Sequence, residues 1–356
     1  MYFLAEHAQE AVGRALAPRP APRARVHTGF MVLSHHTRNA WSTPRVFTDM
    51  TTGVTLNAAD AGNQVDATVR LAREAAAAGL RSAWFGQTFG ADSPQLAAIV
   101  GREVPGLQVG TSAIPVFGRH PLLVSSQAQT AQAATHGRYH LGLALGTKLL
   151  TEGGFGIPFE RPIARLREFL TALRELTETG NADFHGELLT ATTPVPARVP
   201  GAEAGVPLLV AAMGPQALRV SGELADGILP YLAGPRALGE HIVPALVAAA
   251  EAAGRPAPRI VALVHGVVTD DADAVREKAA EQLAFYEQIP SYARVIALSG
   301  GQRAADVAVI GDEETIAAEV RRYRDAGATE VVFSGTEIAG DADRLRTWEL
   351  LGELAG

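Results

Sequence analysis

From residue 50 onward, the chain alternates short apolar runs with amphipathic stretches. The apolar runs are rich in β-branched and aromatic residues, which favours strands. They fall at residues 52–58, 82–86, 107–115, 139–146, 207–212, 226–231, 259–269 and 329–334. Helical periodicity appears at residues 65–78, 94–104, 122–135, 163–179, 215–225, 236–253, 272–287 and 313–326, and then at 341–354. Strands that alternate with helices predict a parallel sheet covered by helices.

Eight strand–helix units predict a closed (β/α)8 TIM barrel. An open doubly wound sheet would alternate in the same way, but no Gly-x-Gly-x-x-Gly motif follows the first strand. Three stretches interrupt the pattern. We expect residues 147–160 at the mouth of the barrel, where the strands end, and residues 180–206 at the opposite face or edge as ordinary loop variation. Residues 289–310 are predicted to be irregular.

Residues 1–49 differ from the rest of the chain. Between Glu10 and Asp49 there are six Arg and no acidic residue, and no strand or helical period persists. We therefore predict two parts, a non-globular extension at 1–49 and the barrel at 50–356.

Composition excludes several kinds of function. The chain has no Cys, which rules out disulfides, thiolate metal sites and cysteine nucleophiles. No apolar run reaches the roughly 18 residues of a membrane span. The formal net charge of -7 argues against nucleic acid and anionic membranes as partners. His35 and His36 are adjacent but lack nearby carboxylates, so no metal site is expected. We predict a cytoplasmic location.

Several motifs occur in a characteristic order along the predicted barrel. They fall at residues 110–121, 137–146, 155–162, 183–187, 211–227, 283–286 and 290–292. In order and spacing they resemble the luciferase-like monooxygenase family, and most closely its branch of F420-dependent oxidoreductases. The resemblance implies a luciferase-like barrel that binds coenzyme F420 and transfers a hydride to or from a small organic substrate.

The sequence Ala211-Ala212-Met213-Gly214-Pro215 ends the fifth predicted strand and begins a helix. Gly permits close approach of a ligand, and the first turn of a helix favours an anion. From the residues alone, an ordinary strand-to-helix turn remains the alternative. The resemblance implies that Ala212, Met213, Gly214 and Pro215 hold the phosphate of the cofactor.

Two other strand ends acquire a role through the resemblance. It implies a non-proline cis peptide between Ser112 and Ala113, and places Ser112, Ala113 and Ile114 behind the deazaflavin ring. It also implies cofactor contacts from Gly146 and Thr147, which end the fourth strand.

The candidate catalytic residues are Asn57, Gln87 and Lys148, each at a strand end. For Lys148, a solvated surface position is the alternative. In the sugar-phosphate dehydrogenases of this superfamily, a His occupies the place of Gln87 and a Glu lies near Lys148. This chain departs from them at both places, which argues against that activity and against a His general base. We expect His120 to form structural hydrogen bonds.

Other functions remain open from the sequence. The same barrel is compatible with FMN, as a monooxygenase or a reductase, with a non-catalytic flavin-binding protein, or with a cofactor-free lyase. The predicted partner is a small-molecule substrate. The resemblance also implies a homodimer, in which the Ala-rich helix at 122–135 packs against a second copy.

Overall fold

The computed structural model describes residues 50–58, 62–87 and 89–355. The predicted extension at 1–49 lies outside the described residues. The described strands are β1 (Thr51–Thr55), β2 (Ser82–Phe85), β3 (Gln108–Thr111), β4 (Ile114–Pro115), β5 (Tyr139–Ala144), β6 (Asp183–His185), β7 (Thr190–Thr192), β8 (Leu208–Ala211), β9 (Gly227–Ile228), β10 (Arg259–Val268), β11 (Val309–Gly311) and β12 (Glu330–Ser334).

Helices connect the strands. They are α1 (Gln64–Ala77), α2 (Ser93–Glu103), α3 (Pro121–Ala134), α4 (Pro162–Thr179), α5 (Pro215–Leu224), α6 (Pro235–Ala237), α7 (Val243–Ala252), α8 (Ala272–Glu287), α9 (Pro290–Ser299), α10 (Glu313–Asp325) and α11 (Asp341–Leu354). A π-helical turn (Leu238–Ile242) joins α6 to α7. Most of these helices cover the outside of the sheet, and one large apolar core lies between the two layers.

Eight parallel strands close into a ring in the order β1, β2, β3, β5, β8, β9, β10, β12. The ring closes because β1 pairs with β12 and β9 pairs with β10. This confirms the (β/α)8 barrel, and a strand forms within each of the eight predicted apolar runs. Buried apolar side chains on both faces of these strands explain the continuous apolar runs, since helices cover one face and the barrel interior the other.

The interior of the barrel is packed with side chains. Trp84, Leu209, Leu229, Val261, Leu263 and Val332 are buried there. Gly110 makes room for the largest of them, because a Cβ at this position would overlap the indole ring of Trp84. Ligands are therefore confined to the mouth of the barrel, at the carboxyl ends of the strands.

A polar network fills the opposite end of the barrel, which we call the floor. Glu330 is 2% exposed, and its carboxylate accepts hydrogen bonds from Ser82 Oγ and, at 2.9 Å, from Trp84 Nε1. Arg259 Nη2 lies 2.8 Å from Glu330 Oε2 in an ion pair. The first residues of β2, β10 and β12 are therefore linked by hydrogen bonds and an ion pair.

The floor network extends to two further strands. Arg259 Nη1 lies 3.1 Å from His140 Nδ1, and His140 Nε2 lies 2.9 Å from Gln108 Oε1. With the guanidinium donating to Nδ1, the ring is neutral and donates from Nε2. Each buried polar group named here has a partner, so the floor is a closed structural unit.

The stretch at 180–206 corrects one prediction. It forms the antiparallel hairpin of β6 and β7, which starts beside the end of α4. Its turn reaches the mouth side, where Arg161 pairs with Glu187 at 2.6 Å and His120 Nε2 donates to Thr190 O at 2.9 Å. The Glu168 carboxylate holds this turn by accepting three backbone N–H bonds at 2.9 to 3.1 Å. The hairpin therefore covers the groove between α3 and α4.

The stretch at 289–310 is more regular than expected. Residues Pro290–Ser299 form α9, and Val309–Gly311 form β11, which extends the sheet beside β10. With α8 they enclose a second, smaller apolar core that contains Leu232, Val267 and Leu283. Pro at the first turn and Gly300 after the last explain why α9 begins and ends where it does.

Candidate active site at the barrel mouth

The third strand is interrupted where the resemblance implies that it should be. The peptide bond between Ser112 and Ala113 is cis, which confirms that prediction. Ser112 N donates to Phe85 O at 2.8 Å, and Ala113 packs against the cluster inside the barrel. Ile114 is buried in the outer core and resumes pairing with β5. Of the three residues, Ser112 and Ala113 remain partly accessible at the mouth, while Ile114 supports them from behind.

The fourth barrel strand, β5, ends in a tight turn. Gly146 has a φ of +74°, a conformation that favours glycine. Thr147 Oγ1 accepts a hydrogen bond from Leu150 N at 3.2 Å and so holds the π-helical turn Leu149–Gly154. The Lys148 side chain is 72% exposed, and its Nζ lies 3.8 Å from Glu152 Oε2. This arrangement matches the solvated alternative for Lys148, since its ammonium group is outside any enclosed space.

The fifth barrel strand, β8, leads directly into α5. Gly214 is the N-cap, with φ −85° and ψ 150°, and no side chain caps the helix. The first helical bond joins Leu218 N to Gly214 O at 2.9 Å, so the amides of Gln216 and Ala217 precede the ladder. A Cβ on Gly214 would meet nothing within 4 Å. The start of α5 is therefore an open helix terminus with amide groups available to an anion.

The residues that precede Gly214 differ in accessibility. Ala212 is 1% exposed and belongs to the outer core, whereas Met213 is partly buried at its edge. Pro215 is the first residue of α5. A backbone N–H at this position would have no partner within the helix, so the missing N–H of proline costs no hydrogen bond. Of the predicted phosphate loop, Met213, Gly214 and Pro215 are accessible at the surface, whereas Ala212 is buried.

The other two catalytic candidates lie in different settings. Asn57 is exposed two residues after β1. Gln87 is held by its own loop, since its Oε1 accepts from Ser93 N and Ser93 Oγ at 3.0 Å. Its Nε2 donates to Ala91 O at 3.3 Å. The Gln87 amide therefore shapes the loop between β2 and α2.

His120 has the structural role expected of it. Its Nδ1 accepts from Leu122 N at 3.3 Å, which caps α3, and its Nε2 donates to Thr190 O at 2.9 Å. Both ring nitrogens are engaged, so the ring fastens the β6–β7 hairpin to the mouth side of the barrel.

Sequence reasoning missed His265, a buried side chain near the mouth end of β10. It lies on β10 with the same strand parity as Val261 and Leu263, which face the interior. The ring is 4% exposed, and Nε2 has no hydrogen-bond partner among the described residues. Burial lowers the pKa of His265 to about 4, so the ring is neutral at physiological pH. In the sequence, the signal that could have identified this residue is a single His at an inward-facing position of an apolar strand.

Three tyrosines meet after the end of β9, and one of them, Tyr231, bridges to Leu263, two residues before His265 on β10. We call Tyr231, Tyr286 and Tyr292 the tyrosine wall. Their ring centroids lie 4.9 to 6.2 Å apart with edge contacts between all three rings. Burial raises the pKa of each of these phenols, so they remain neutral hydrogen-bond donors. Residues 283–286 and 290–292 carry part of the family resemblance, but their sequence does not predict that they meet Tyr231.

Two kinds of feature are absent from the described part of the chain. No three His, Asp or Glu side chains converge there as metal ligands would. None of its helices combines the length and the apolar character needed to cross a bilayer.

Comparison with known proteins identifies the family. The family model for luciferase-like monooxygenases matches residues 40–330. An F420-dependent glucose-6-phosphate dehydrogenase of Rhodococcus jostii is 31% identical over 258 residues, which cover 66% of this chain and 75% of the relative. Uncharacterized mycobacterial relatives, also 31% identical, are matched over 61% of their own length, so the chain spans about three-fifths of those proteins.

Solved structures share the fold. The F420-dependent tetrahydromethanopterin reductase of Methanopyrus kandleri has a TM-score of 0.69 at 22% identity, covering 86% of this chain and 98% of the other. The oxygenating constituent of 3,6-diketocamphane monooxygenase from Pseudomonas putida, in complex with FMN, has a TM-score of 0.69 at 15% identity, covering 86% and 98%. From the match to its model over most of the chain, this protein belongs to the luciferase-like monooxygenase family.

Proposed function

We propose that this enzyme binds coenzyme F420 at the barrel mouth and transfers a hydride between it and a small organic substrate. The observation that carries the proposal is the open start of α5 at Gly214. A helix terminus with available amides and no side-chain cap suits the phosphate of the cofactor. The names of the relatives support the same coenzyme, since they include F420-dependent dehydrogenases and a putative F420-dependent oxidoreductase.

Other glycine-led helix starts suit a phosphate less well. Gly234 precedes α6, but its N–H already donates to Ser299 Oγ at 2.8 Å, and a Cβ there would lie 3.1 Å from Ser299 Cβ. Gly340 precedes α11, whose first turn carries Asp341 and Asp343. Negative side chains there would repel a phosphate. Gly214 is therefore the preferred site among these three.

The rest of the mouth has a plausible part in cofactor binding. Ser112 and Ala113 would support one face of the deazaflavin ring, while Gly146 and Thr147 would border it from β5. When bound, F420 supplies the hydride carrier. The protein contributes orientation and exclusion of water by its apolar walls. Asn57, Gln87 and Lys148 stay candidate catalytic residues.

Gly214→Asp tests the phosphate site. The change places a carboxylate where the phosphate should lie, and repulsion with steric exclusion should weaken F420 binding by about a hundredfold or more. Because φ is −85° and the space is open, the free protein should fold normally. Equilibrium titration of F420 measures affinity, and circular dichroism measures folding.

Two matched variants separate the causes. Gly214→Asn has nearly the shape of Asp without its charge, so it should bind F420 more weakly than wild type but more tightly than Gly214→Asp. Gly153→Asp adds the same charge at another open position of the mouth loops and should bind F420 like wild type. A folded Gly214→Asp variant with wild-type affinity would refute the placement.

FMN is the second candidate cofactor. A structural neighbour with the same fold holds FMN, and both cofactors carry a phosphate that the start of α5 would accept. The same titration with FMN distinguishes them, because the cofactor that is used should bind at least tenfold more tightly. Tight binding of FMN with none of F420 would favour a flavin-dependent monooxygenase or reductase. The homodimer and the cytoplasmic location stay predictions.

A further inference from the structure

The tyrosine wall and His265 form one side of the mouth, at β9 and β10. We infer that this side binds the apolar body of an uncharged substrate and that His265 Nε2 hydrogen-bonds its single oxygen, as in an aryl ketone or the corresponding alcohol. The inference rests on the proposed function, because it assigns the substrate class of that same site.

The wall is placed to contact a substrate above the packed interior. Tyr231 contacts both the interior cluster and the second core, and it bridges to Leu263 of β10. Tyr286 lies in the last turn of α8 and Tyr292 in the first turn of α9. All three rings are partly accessible. Ring edges and faces of this kind favour aromatic and branched apolar partners.

His265 supplies the one unmet polar contact beside the wall. Its ring packs against Gly335, where a Cβ would overlap the imidazole. Nε2 is buried without a partner among the described residues, a condition that proteins usually avoid. A neutral imidazole nitrogen either donates to a carbonyl oxygen or accepts from a hydroxyl group. The site therefore matches a substrate whose polar atom is an oxygen at one end of an apolar body.

The facing rim of the mouth is apolar too. The loops that follow β2 and β5 bring Phe89 and Phe155 together, with ring centroids 5.9 Å apart. Phe89 is 70% exposed. In the eight-strand ring β2 lies four positions from β9 and β5 lies two positions from it, so the Phe89 side of this rim lies across the mouth from Tyr231. A substrate between the two would have apolar surface on both sides.

The strand ends discussed above offer little charge to balance a charged substrate. Among the described strand-end residues discussed above, Lys148 carries the one permanent charge, and it is solvated beside Glu152. A groove at the outer side of α10 contains Arg236, Arg276, Arg303 and Arg322. Each of these is already paired, with Glu240, Asp273, Asp306 and Glu319 respectively. Burying an anion against the tyrosine wall is therefore unfavourable.

The test uses the F420-loaded enzyme and four named probes: acetophenone, ethylbenzene, benzoate and glucose 6-phosphate. Binding is measured by saturation-transfer difference NMR titration. Acetophenone should bind at least tenfold more tightly than benzoate and glucose 6-phosphate. Equal or tighter binding of either anion would overturn the uncharged class. This comparison needs no variant, so it does not depend on how any substitution folds.

Substitutions test the placement. Tyr286→Ala should weaken acetophenone at least tenfold, while Tyr286→Phe keeps the ring and should bind within threefold of wild type. Tyr292→Ala carries the same expectation as Tyr286→Ala and serves if that variant does not fold. His265→Leu should weaken acetophenone about tenfold and leave ethylbenzene, which lacks the oxygen, unchanged. Unchanged acetophenone binding in the folded wall variants, or equal losses for both probes in His265→Leu, would overturn the placement.

The outcome is separable from that of the proposed function. F420 affinity is measured on every variant and should stay within threefold of wild type, because the cofactor contacts lie at β3, β5 and β8. If wild-type protein does not bind F420, the proposed function fails. The probe titrations on the cofactor-free protein then still decide whether the wall selects uncharged apolar molecules.

Discussion

The two ends of the barrel treat their polar groups differently. At the floor, the Glu330 carboxylate is buried and has three partners, one of them the Arg259 guanidinium. At the mouth, the His265 Nε2 atom is also buried but has no partner among the described residues. The start of α5 at Gly214 likewise has no side-chain cap. Both ends belong to the same eight strands, so the strands themselves do not explain the difference.

The contrast distinguishes structural groups from binding groups. A buried polar group without a partner costs about 1–3 kcal/mol, and a fold retains that cost when a ligand recovers it. In a network whose donors and acceptors are all paired, no polar group is available to a ligand. Its members instead stabilise the fold. We therefore expect substitutions at the floor to change stability and leave binding intact, and substitutions at the mouth to do the reverse.

Glu330→Ala should have the largest effect. It leaves the Arg259 side chain, which is 16% exposed, without its carboxylate partner at the floor. Breaking a buried pair from one side costs about 3–5 kcal/mol. Urea unfolding should show a loss of this size in the free energy of unfolding, while F420 affinity of the folded fraction stays unchanged.

Glu330→Gln is the matched variant. It keeps most of the shape and one acceptor for Trp84 Nε1 but removes the charge that faces Arg259. Its loss of stability should lie between wild type and Glu330→Ala. If Glu330→Ala were as stable as wild type, or if it lost F420 binding while folded, the floor would not act only to stabilise the fold.

His265 should make the protein acid-sensitive. Burial lowers the pKa of His265 in the folded protein to about 4, from the 6.5 that is usual for an exposed histidine. Between these two pH values the unfolded chain binds more protons, so stability falls as the pH drops below about 6.5 and levels off near pH 4. The full difference is about 3 kcal/mol. Urea unfolding at pH 7 and pH 4.5 measures about 2 kcal/mol of this difference, because pH 4.5 lies above the folded pKa.

His265→Gln removes the titration and keeps a polar side chain. The variant should lose about 2 kcal/mol less than wild type between those pH values, whatever other groups titrate in both proteins. The same loss in both would show that His265 is not neutral and buried in solution. At the floor, in contrast to His265, both ring nitrogens of His140 have hydrogen-bond partners.

The sequence predicted the barrel because its signals are local. Each strand is a short apolar run, and helices such as α5 and α10 begin at Pro215 or directly after the N-cap Asp312 and are amphipathic. The signals were weaker outside the barrel. The hairpin at 183–192 has polar strands with exposed residues, and α9 follows a Pro in a stretch that reads as a loop. Their structure depends on packing against other elements.

The site was predictable only in part, for the same reason. Gly214 and the Ser112–Ala113 bond lie in contiguous motifs that carry the family resemblance. The tyrosine wall joins residues 231, 286 and 292, and the floor joins Arg259 to a Glu 71 positions away. The hydrophobic periodicity of a single segment does not predict contacts between residues so far apart in the sequence. Gln87 and Lys148 were chosen by position at strand ends, and the structure shows one held in its loop and one solvated.

Exchanging helix caps between α1 and α5 should give the smallest effect on stability and sharpen the comparison most. Asn63 caps α1, its Oδ1 accepting from Val65 N at 3.1 Å and Asp66 N at 3.2 Å, whereas Gly214 leaves α5 open. Asn63→Gly should lower the free energy of unfolding by a few tenths of a kcal/mol, and Gly214→Asn should raise it by a similar amount. F420 affinity should be unchanged in Asn63→Gly and reduced in Gly214→Asn, because the new side chain would accept the backbone N–H groups that the phosphate would use.

Thermal unfolding measures the stability of both variants, and titration with F420 measures their affinity. A Gly214→Asn variant that is both more stable and equally tight would show that α5 is open for no ligand, and the phosphate would then have to bind elsewhere at the mouth.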